Sequence, residues 1–215
     1  MRIIFKFDDF TGVNEKVLNL DKIVKKYGIV VGWGIIGSSV ANWSETDVKF
    51  IVDSLNSTYY FFWNHGWSHA NREFCYYDSV EAEEMIRRTN EIVKKKIHYT
   101  MTTFGAPCNA IGSSTSQALN KIEDIKYWLF GDKESFNGVV LERHVDMEYP
   151  IFRPNFFRFV ISILKFKTRR KMVVLQGHPC AWGKKDFFNF KLICMFIKIF
   201  GIECVTPEEG ERGES

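Results

Sequence analysis

The sequence predicts an α/β protein whose mostly parallel sheet closes into an incomplete barrel of about seven strand–helix units. Strand-like and helix-like runs alternate along the chain with few interruptions, and this order is typical of parallel sheets. Hydrophobic residues make up 46% and charged residues 26% of the 215 positions, as in ordinary globular proteins that bury one sizeable core. In such barrels the chemistry lies at the C-terminal ends of the strands.

The first half of the chain contains three strand-like and three helix-like runs with clear end signals. Gly28 is the usual residue just beyond a helix, and Ser44 offers an N-cap. Asp78, followed three residues later by Glu81, is typical of a capping box. Strands are therefore predicted over 2–8, 29–36 and 58–63, and helices over 14–27, 45–55 and 78–96.

The second half continues the alternation with weaker signals. Strands are predicted over 99–104, 171–176 and 202–205, and helices over 115–125, 155–165 and 186–200, with Gly201 as a C-cap. Two short apolar runs, 127–130 and 139–141, stay unassigned. We expect residues 1–207 to form a single domain and residues 208–215 to form a polar C-terminal tail.

Composition excludes several classes of function. A formal charge of +3 is too small to indicate nucleic-acid binding, and no run of 18 apolar residues predicts a transmembrane segment. Five cysteines without a C-x-x-C pair suit a reducing compartment better than a disulfide framework or a zinc ribbon. The chain opens directly into a strand without the features of a signal peptide, so a cytoplasmic location is expected.

Acids and imidazoles follow the predicted strands. Asp8 and Asp9 end the first strand, and burying two carboxylates together requires a cation or a catalytic role. A polar turn that caps the next helix is the alternative. His65 and His69 follow the third strand, and His178 follows a later one. The strand ends should therefore bring these groups into one cleft.

The two histidines after the third strand have a spacing that suits metal binding. Residues four apart lie on one face of a helical turn, so His65 and His69 can both reach one ion. Two imidazoles and one carboxylate leave coordination positions open, which is typical of a catalytic metal site. The alternative is that one of the two is a hydrogen-bonded core histidine.

Four motifs in order resemble those of a known family. They are Phe7-Asp8-Asp9, His65-x-x-x-His69, Phe104-Gly105-Ala106-Pro107 and Leu175-Gln176-Gly177-His178-Pro179. Together they resemble polysaccharide deacetylases with the NodB-homology domain, carbohydrate esterase family 4, in a divergent short form. The resemblance extends from Phe5 to Glu208 and implies a distorted (β/α)7 barrel with metal-dependent hydrolysis of an acetamido group on a sugar.

The resemblance implies a role for each of five residues. Asp8 corresponds to the general base and His178 to the general acid. Asp9, His65 and His69 correspond to the ligands of a divalent metal. Zinc is the expected ion, and iron, cobalt or nickel also suit these ligands.

The resemblance also implies an oxyanion and substrate loop at Pro107, Cys108 and Asn109. The backbone N–H of Cys108 would stabilise the tetrahedral oxyanion together with the metal. Cys108 and Cys180 each follow a proline in a motif loop. We expect at least one of these thiols to lie close to the metal.

The sequence departs from the family pattern at several positions. Gly66 stands where the family has Ser or Thr, Cys108 where it has Tyr, and Gly105 where it has the Arg that pairs with the base carboxylate. Arg153 is the candidate replacement, as a partner of the base or of substrate, and a solvated surface Arg is the alternative. The fourth family motif is not found, and Asp146 and Trp128 are candidates only.

The sequence therefore predicts an enzyme that removes an N-acetyl group from an amino sugar of a saccharide or a lipid-linked sugar precursor. By resemblance, the short Phe-Gly-Ala-Pro motif points to cell-envelope polysaccharide biosynthesis. The alternatives are a sugar-binding relative that has lost turnover and a hydrolase of a small non-sugar amide. Gly105 favours the first alternative, and the retained acids and histidines oppose it.

The predicted helix 155–165 is apolar on more than one face, and a basic cluster at 167, 169, 170 and 171 follows it. Packing on the sheet explains most such helices. The sharper hypothesis is contact with a membrane surface that would bring the site to a lipid-linked sugar.

Overall fold

A parallel sheet curled into a half-barrel, with helices around it, organises the chain in this computed structural model, which describes residues 1–70, 72–166 and 171–212. The strands are β1 (Arg2–Phe10), β2 (Val31–Ile35), β3 (Tyr60–Asn64), β4 (Thr103–Phe104), β5 (Tyr127–Leu129), β6 (Val139–Leu141), β7 (Arg143–Asp146), β8 (Met172–Gly177) and β9 (Glu203–Cys204). The helices are α1 (Glu15–Tyr27), α2 (Glu45–Asn56), α3 (Glu73–Tyr76), α4 (Ser79–Ile97), α5 (Ser113–Leu119), α6 (Phe156–Phe166), α7 (Lys184–Ile199) and α8 (Pro207–Arg212). Short 3-10 helices lie at Gly37–Asn42, Pro107–Asn109 and Pro179–Ala181.

The sheet has the order β6-β5-β4-β3-β2-β1-β8-β7, with β9 paired to β1, and these pairings are parallel. Strands β6 and β7 are neighbours in sequence but lie at opposite edges of the sheet, so the barrel is open between them. The predicted incomplete (β/α)7-type barrel is confirmed.

Helices α2 and α4 begin at their predicted capping residues and α1 ends at the predicted Gly28, whereas Asn14, predicted as the first residue of α1, is its N-cap. The Asn14 side chain accepts hydrogen bonds from two backbone N–H groups of α1, and Gly28 ends that helix at φ 66°. Ser44 with Asp47 and Asp78 with Glu81 form capping boxes at α2 and α4. Local sequence therefore determines where these three helices begin.

Other elements differ from the sequence prediction. Helix α5 ends at Leu119, after which the backbone N–H groups of Lys121 and Ile122 donate to carbonyls three residues earlier. The Asn120 side chain bonds to the loop 135–137, at 2.9 Å from both Ser135 O and Asn137 N. Strand β4 has only two residues, and β7 was not predicted because its Arg-His-Val-Asp sequence shows no apolar alternation. The polar tail begins with α8, which Tyr127 anchors through a 2.7 Å hydrogen bond to Glu211.

The two faces of each central strand have different neighbours. On β1, Phe5 and Phe7 point outward, with ring centroids 5.7 and 5.5 Å from that of Phe190 on α7. Ile4, Lys6 and Asp8 alternate with them and face the inside of the half-barrel. The inner face thus changes from apolar to charged towards the C-terminal end of the strand. No described helix has the length and apolar character needed to cross a bilayer.

Candidate active site

A bulge in β1 turns the two adjacent acids into the same cleft. Phe7 pairs with Trp33 and Phe10 with Ile35, so three steps along β1 match two along β2. Asp9 takes up the extra residue in a left-handed conformation, φ 67°. The sequence predicted that the strand ends at Asp8. The strand instead continues to Phe10, and the bulge, not a strand end, turns the two acids into the same cleft.

Asp9, His65 and His69 converge on one point. Asp9 Oδ1 lies 2.9 Å from His69 Nε2 and 3.4 Å from His65 Nε2. One ligand atom from each residue lies within 4.8 Å of the other two. Even so, Asp9 Oδ1 and His65 Nε2 are buried without a well-formed hydrogen bond to any residue that the structure describes. Buried polar atoms normally have partners, so these two atoms fit a bound cation.

The orientation of His65 also suits a ligand. Its Nδ1 lies 2.8 Å from the carbonyl oxygen of Gly105, which can only accept a hydrogen bond. Nδ1 therefore holds the ring proton, and the Nε2 lone pair points to the cluster. His69 reaches the same point from a left-handed conformation, φ 57°, in the loop after β3. The predicted helical turn is wrong, because no helix spans 65–69, but the convergence that it was meant to explain is present.

The Asp9 carboxylate is held in its charged form beside the two imidazoles. Burial raises the pKa of Asp9, but the contacts with His65 and His69 lower it more, and the net pKa lies well below its usual range. The Asp9 carboxylate in turn raises the pKa of His69, and burial opposes this in part. An ionised carboxylate and two imidazoles are the donor set that zinc and similar divalent cations take.

Asp8 is held by a buried lysine from its own strand. Lys6 Nζ lies 2.7 Å from both carboxylate oxygens, and Gln176 Nε2 donates to Oδ2 at 2.7 Å. Both members of the ion pair are buried, and burial lowers the pKa of Lys6 although Asp8 opposes the shift. The expectation that Arg153 pairs with Asp8 is wrong. Arg153 instead donates to Asp186 at 2.8 Å, at the start of α7.

Two departures from the family pattern have physical reasons here. A Cβ on Gly105 would lie 2.7 Å from the Trp63 ring, so the indole fills the space beside this position. The same ring lies 4.8 Å from Lys6 Nζ, within cation–π range. Gly66 has φ 73°, a left-handed conformation in which the Ser or Thr of the family would be strained.

His178 is held by a carboxylate that the sequence analysis missed. Glu148 accepts hydrogen bonds from the His178 backbone N–H at 2.8 Å and from Trp182 Nε1 at 2.6 Å, and its other oxygen lies 2.7 Å from His178 Nδ1. Burial lowers the pKa of His178, but Glu148 and then Asp8 raise it more, so the net shift is upward. His178 Nε2 faces Asp8 Oδ2 at 3.7 Å.

The two candidates for the fourth motif do not hold His178. Trp128 is buried in the core beneath α4 and α5, and Asp146 pairs with Arg143. Glu148 lies in the irregular segment that follows β7, where sequence patterns give no element. In the sequence, Glu148 is recognisable only as an acid that lies two residues after the candidate Asp146.

A cavity of about 300 Å³ opens over these groups. Its wall includes Asp8, Asp9, His69, His178 and Glu148 as well as Cys108, Asn109, Ile151 and Phe152. Asn109 Nδ2 donates to Gln176 at 3.0 Å, while its buried Oδ1 has no partner in the described part of the chain. Cys108 and Asn109 thus lie where the sequence predicted a substrate loop, and Pro107 is buried behind them.

The two cysteines of the motif loops lie beside the cluster. Cys180 Sγ is 3.2 Å from the carbonyl oxygen of Asp9, and burial raises the pKa of this thiol to about 11. Cys108 is exposed in the cavity wall. Cys180 therefore contacts the backbone of a candidate ligand as an uncharged thiol.

Comparison with known families supports the resemblance noted in the sequence. The family model described as "Polysaccharide deacetylase" matches residues 2–126, which is more than half of the chain. This span includes both acids of β1, the histidine pair and the loop at 107–109. No curated protein matches the sequence.

Solved structures share the fold at low sequence identity. The Xyl-CE4 domain of a multidomain xylanase from the hindgut metagenome of Trinervitermes trinervoides matches with a TM-score of 0.72 at 13% identity, over 99% of this chain and 90% of that one. A family 4 acetyl xylan esterase from Clostridium thermocellum, in complex with a cobalt ion, matches with a TM-score of 0.72 at 16% identity, over 98% and 90%. BA3943, a CE4 family pseudoenzyme from Bacillus anthracis, matches with a TM-score of 0.67 at 14% identity, over 97% and 64%.

Proposed function

Because this chain belongs to the polysaccharide deacetylase family, we propose that it is a metal-dependent hydrolase that removes an N-acetyl group from an amino sugar. The substrate is a saccharide or a lipid-linked saccharide of cell-envelope polysaccharide biosynthesis. The observation that carries this proposal is the separation of roles within one cleft. Asp9 Oδ1 and His65 Nε2 are buried without a well-formed hydrogen bond in the described structure, and His69 Nε2 lies beside them. Asp8 and His178, by contrast, are each held by a neighbouring group.

In this proposal Asp9, His65 and His69 hold the cation, and zinc is the expected ion. Iron, cobalt or nickel fit the same donors, and one similar structure contains cobalt. The bound cation supplies a Lewis acid that polarises the acetamido carbonyl and makes water more acidic. The Nδ1–H of His65 donates to Gly105 O and keeps the ligating nitrogen aimed at the cation.

Asp8 is the proposed general base. Its carboxylate accepts the proton of the attacking water through Oδ2, which faces His178 across the cavity. Lys6 keeps the carboxylate at a fixed position and balances its charge from below. The ion pair therefore supplies, from β1 itself, the partner that Gly105 cannot provide.

His178 is the proposed general acid. Glu148 bonds to Nδ1 and leaves Nε2 pointing towards Asp8, where a proton can pass to the departing amine nitrogen. The upward shift of the His178 pKa keeps the imidazole protonated to higher pH. The carbonyl carbon accepts the water oxygen, the C–N bond breaks, and acetate and the free amine leave.

Substrate contacts are proposed for the loop that follows β4. Cys108 has a left-handed backbone, φ 58°, and its N–H is the proposed oxyanion donor. The unpartnered Oδ1 of Asn109 can accept a hydrogen bond from a sugar hydroxyl at the cavity wall. Phe152, whose ring lies edge-on to that of His178 at 4.6 Å, supplies an apolar wall.

The main alternative is a sugar-binding protein without turnover, since one similar structure is a pseudoenzyme. The buried Lys6–Asp8 and Glu148–His178 pairs argue against it, because each holds a group whose use is proton transfer. A second alternative is hydrolysis of a small non-sugar amide. A third, suggested by the acetyl xylan esterase, is removal of O-acetyl groups.

A single protein domain over residues 1–207 and a cytoplasmic location, which suits five free thiols, are further parts of the proposal.

Acetate release from a substrate panel tests the proposal. The panel contains N-acetylated oligosaccharides, an O-acetylated xylan and a small N-acetyl amide, each with metal-loaded wild-type protein and with Asp8→Asn as the matched inactive control. We expect acetate from the N-acetylated saccharides and at least a hundredfold less with the variant. Release only from xylan or only from the small amide would favour that alternative. Saccharide binding without release would favour the protein without turnover.

A further inference from the structure

We propose that the paired outer faces of α6 and α7 dock on an anionic bilayer surface, so that the cavity receives a lipid-linked substrate. This α6/α7 face consists of the exposed apolar side chains Phe157, Ile161, Leu164, Phe188, Met195 and Ile199, with the cations around them. The inference rests on the proposed function only in the nature of the substrate. The contact with lipid is inferred from the exposed apolar side chains and the cations of the two helices.

Helix α6 has a buried and an exposed apolar side. Phe159 and Ile163 are buried against the barrel. Phe157, Ile161 and Leu164 lie on the opposite side at i, i+4 and i+7, and Phe157 is 77% exposed. A surface helix of a globular protein normally presents polar residues on that side. The predicted packing on the sheet therefore accounts for only half of the apolar character of this helix.

Helix α7 repeats the arrangement beside it. Phe190 and Ile193 are buried, while Phe188, Met195 and Ile199 face outward, and Ile199 is 70% exposed. The two helices are in contact, since the rings of Phe159 and Phe196 lie 5.8 Å apart between them. The exposed side chains of α6 and α7 thus belong to one surface.

The exposed charges on these two helices have one sign. The exposed cations of the two helices are Arg158, Lys165, Lys184, Lys185, Lys191 and Lys198. The only carboxylate on these helices, Asp186, is buried and bonded to Arg153 and to the backbone of Gly183. Apolar side chains rimmed by Lys and Arg complement an anionic lipid surface. The basic positions 167, 169 and 170 lie outside the described residues, whereas Lys171 is described and exposed.

The surface continues to the mouth of the cavity. Phe152 and Ile151 line the cavity and are themselves exposed. Tyr149, two residues before Ile151, is exposed as well, and the guanidinium of Arg158 at the start of α6 lies 3.9 Å from the centre of its ring. Exposed apolar side chains of the segment 149–152 therefore lie between the cavity wall and the start of α6. A sugar in the cavity can keep its lipid anchor in the bilayer along these side chains.

Vesicle co-sedimentation of the full chain tests the docking. We expect binding to vesicles of phosphatidylglycerol and phosphatidylcholine to exceed binding to pure phosphatidylcholine by about tenfold or more at low salt. Phe157→Ser with Ile199→Ser should reduce binding to the anionic vesicles by about tenfold or more. Lys191→Gln with Lys198→Gln should remove most of the preference for them. Val80→Ser changes an apolar side chain of similar exposure on α4, where both Glu and Arg side chains surround it instead of cations alone, and should bind like wild type.

Equal binding to anionic and neutral vesicles would overturn the proposal, as would unchanged binding of the Phe157/Ile199 variant. A dimer seen by light scattering that the same variant dissociates would show that a second copy covers the face, and would also overturn it. Acetate release from a short soluble substrate should stay near wild type in the variants, which confirms their folding. If wild type releases no acetate from any substrate but binds anionic vesicles, the proposed function fails and the docking surface stands.

Discussion

The cleft has two halves, which differ in whether their buried ionisable atoms have hydrogen-bond partners. In the metal half, Asp9 Oδ1 and His65 Nε2 are buried without well-formed hydrogen bonds in the described structure. In the proton-transfer half, both oxygens of Asp8 and the Nδ1 of His178 have partners at 2.7 Å. Buried polar atoms without partners are costly unless a ligand satisfies them. Pairing thus separates the atoms to which we assign a cation from those to which we assign proton transfer.

The largest effect is expected from a substitution in the metal half. His69→Ala removes one of three ligands, and we expect loss of both bound metal and acetate release. His98→Asn is the matched control, because His98 ends α4 in a left-handed conformation far from the cluster and Asn tolerates that backbone. Elemental analysis and activity of the two variants decide it. Metal retained at wild-type stoichiometry in His69→Ala would remove this histidine from the ligand set.

The next largest effect is expected from a substitution that changes the proton-transfer half alone. Asp8→Asn keeps the shape of the side chain and leaves Asp9, His65 and His69 in place. We expect normal metal content and a fall in kcat of about 10²- to 10⁴-fold, as for loss of a positioned base. Steady-state kinetics and elemental analysis on the same preparation test this. Loss of the metal as well would assign Asp8 to the other half.

Lys6→Met tests how much the buried ion pair of the proton-transfer half contributes to the stability of the fold. The substitution leaves Asp8 as a buried charge with Gln176 as its remaining donor, which should cost about 3–5 kcal/mol of unfolding free energy. The matched control is Lys25→Met, which removes the partly exposed pair with Asp21 and should cost less than about 1 kcal/mol. Urea denaturation measures both. Equal losses for the two variants would show that the buried pair has no special role.

Glu148→Gln should have the smallest effect and a distinctive pH dependence. Glu148 helps to raise the pKa of His178, and the protonated imidazole is the proposed acid. Activity is therefore lost as the pH rises through this pKa and His178 loses its proton. Removing the carboxylate charge lowers the pKa, so the alkaline limb of the rate–pH profile should move to lower pH, with a rate loss of about tenfold at the optimum. An unmoved limb would show that another group is the acid.

The same comparison shows how much of the molecule the sequence could predict. The fold class followed from the alternation of elements, and helix ends followed from capping residues such as Ser44 and Asp78. The convergence of Asp9, His65 and His69 was predicted from motif order and from their positions at strand ends, although two of the expected local conformations were wrong. A bulge with Asp9 in a left-handed conformation replaces the expected strand end, and a loop replaces the expected helical turn.

The partners of the proton-transfer half could not be predicted in the same way. Lys6 alternates with Phe5 and Phe7 in an apolar strand, and nothing in the sequence shows that its face lines the barrel interior instead of solvent. Glu148 belongs to an irregular segment, and only the fold brings it to His178 across 30 positions of sequence. Arg153 was the sequence candidate for this half, but its charge is used by Asp186. Side-chain partners that are distant in sequence can therefore be identified only when the fold is known.

Metal titration followed by acetate release tests the central claim most directly. Protein freed of metal by a chelator is given increasing zinc, and bound metal and acetate from an N-acetylated oligosaccharide are measured on each sample. The account predicts that activity rises in proportion to bound metal and reaches its plateau at one ion per chain. Full acetate release by the chelated protein, or a tightly bound ion that confers no activity on any acetylated saccharide, would contradict it.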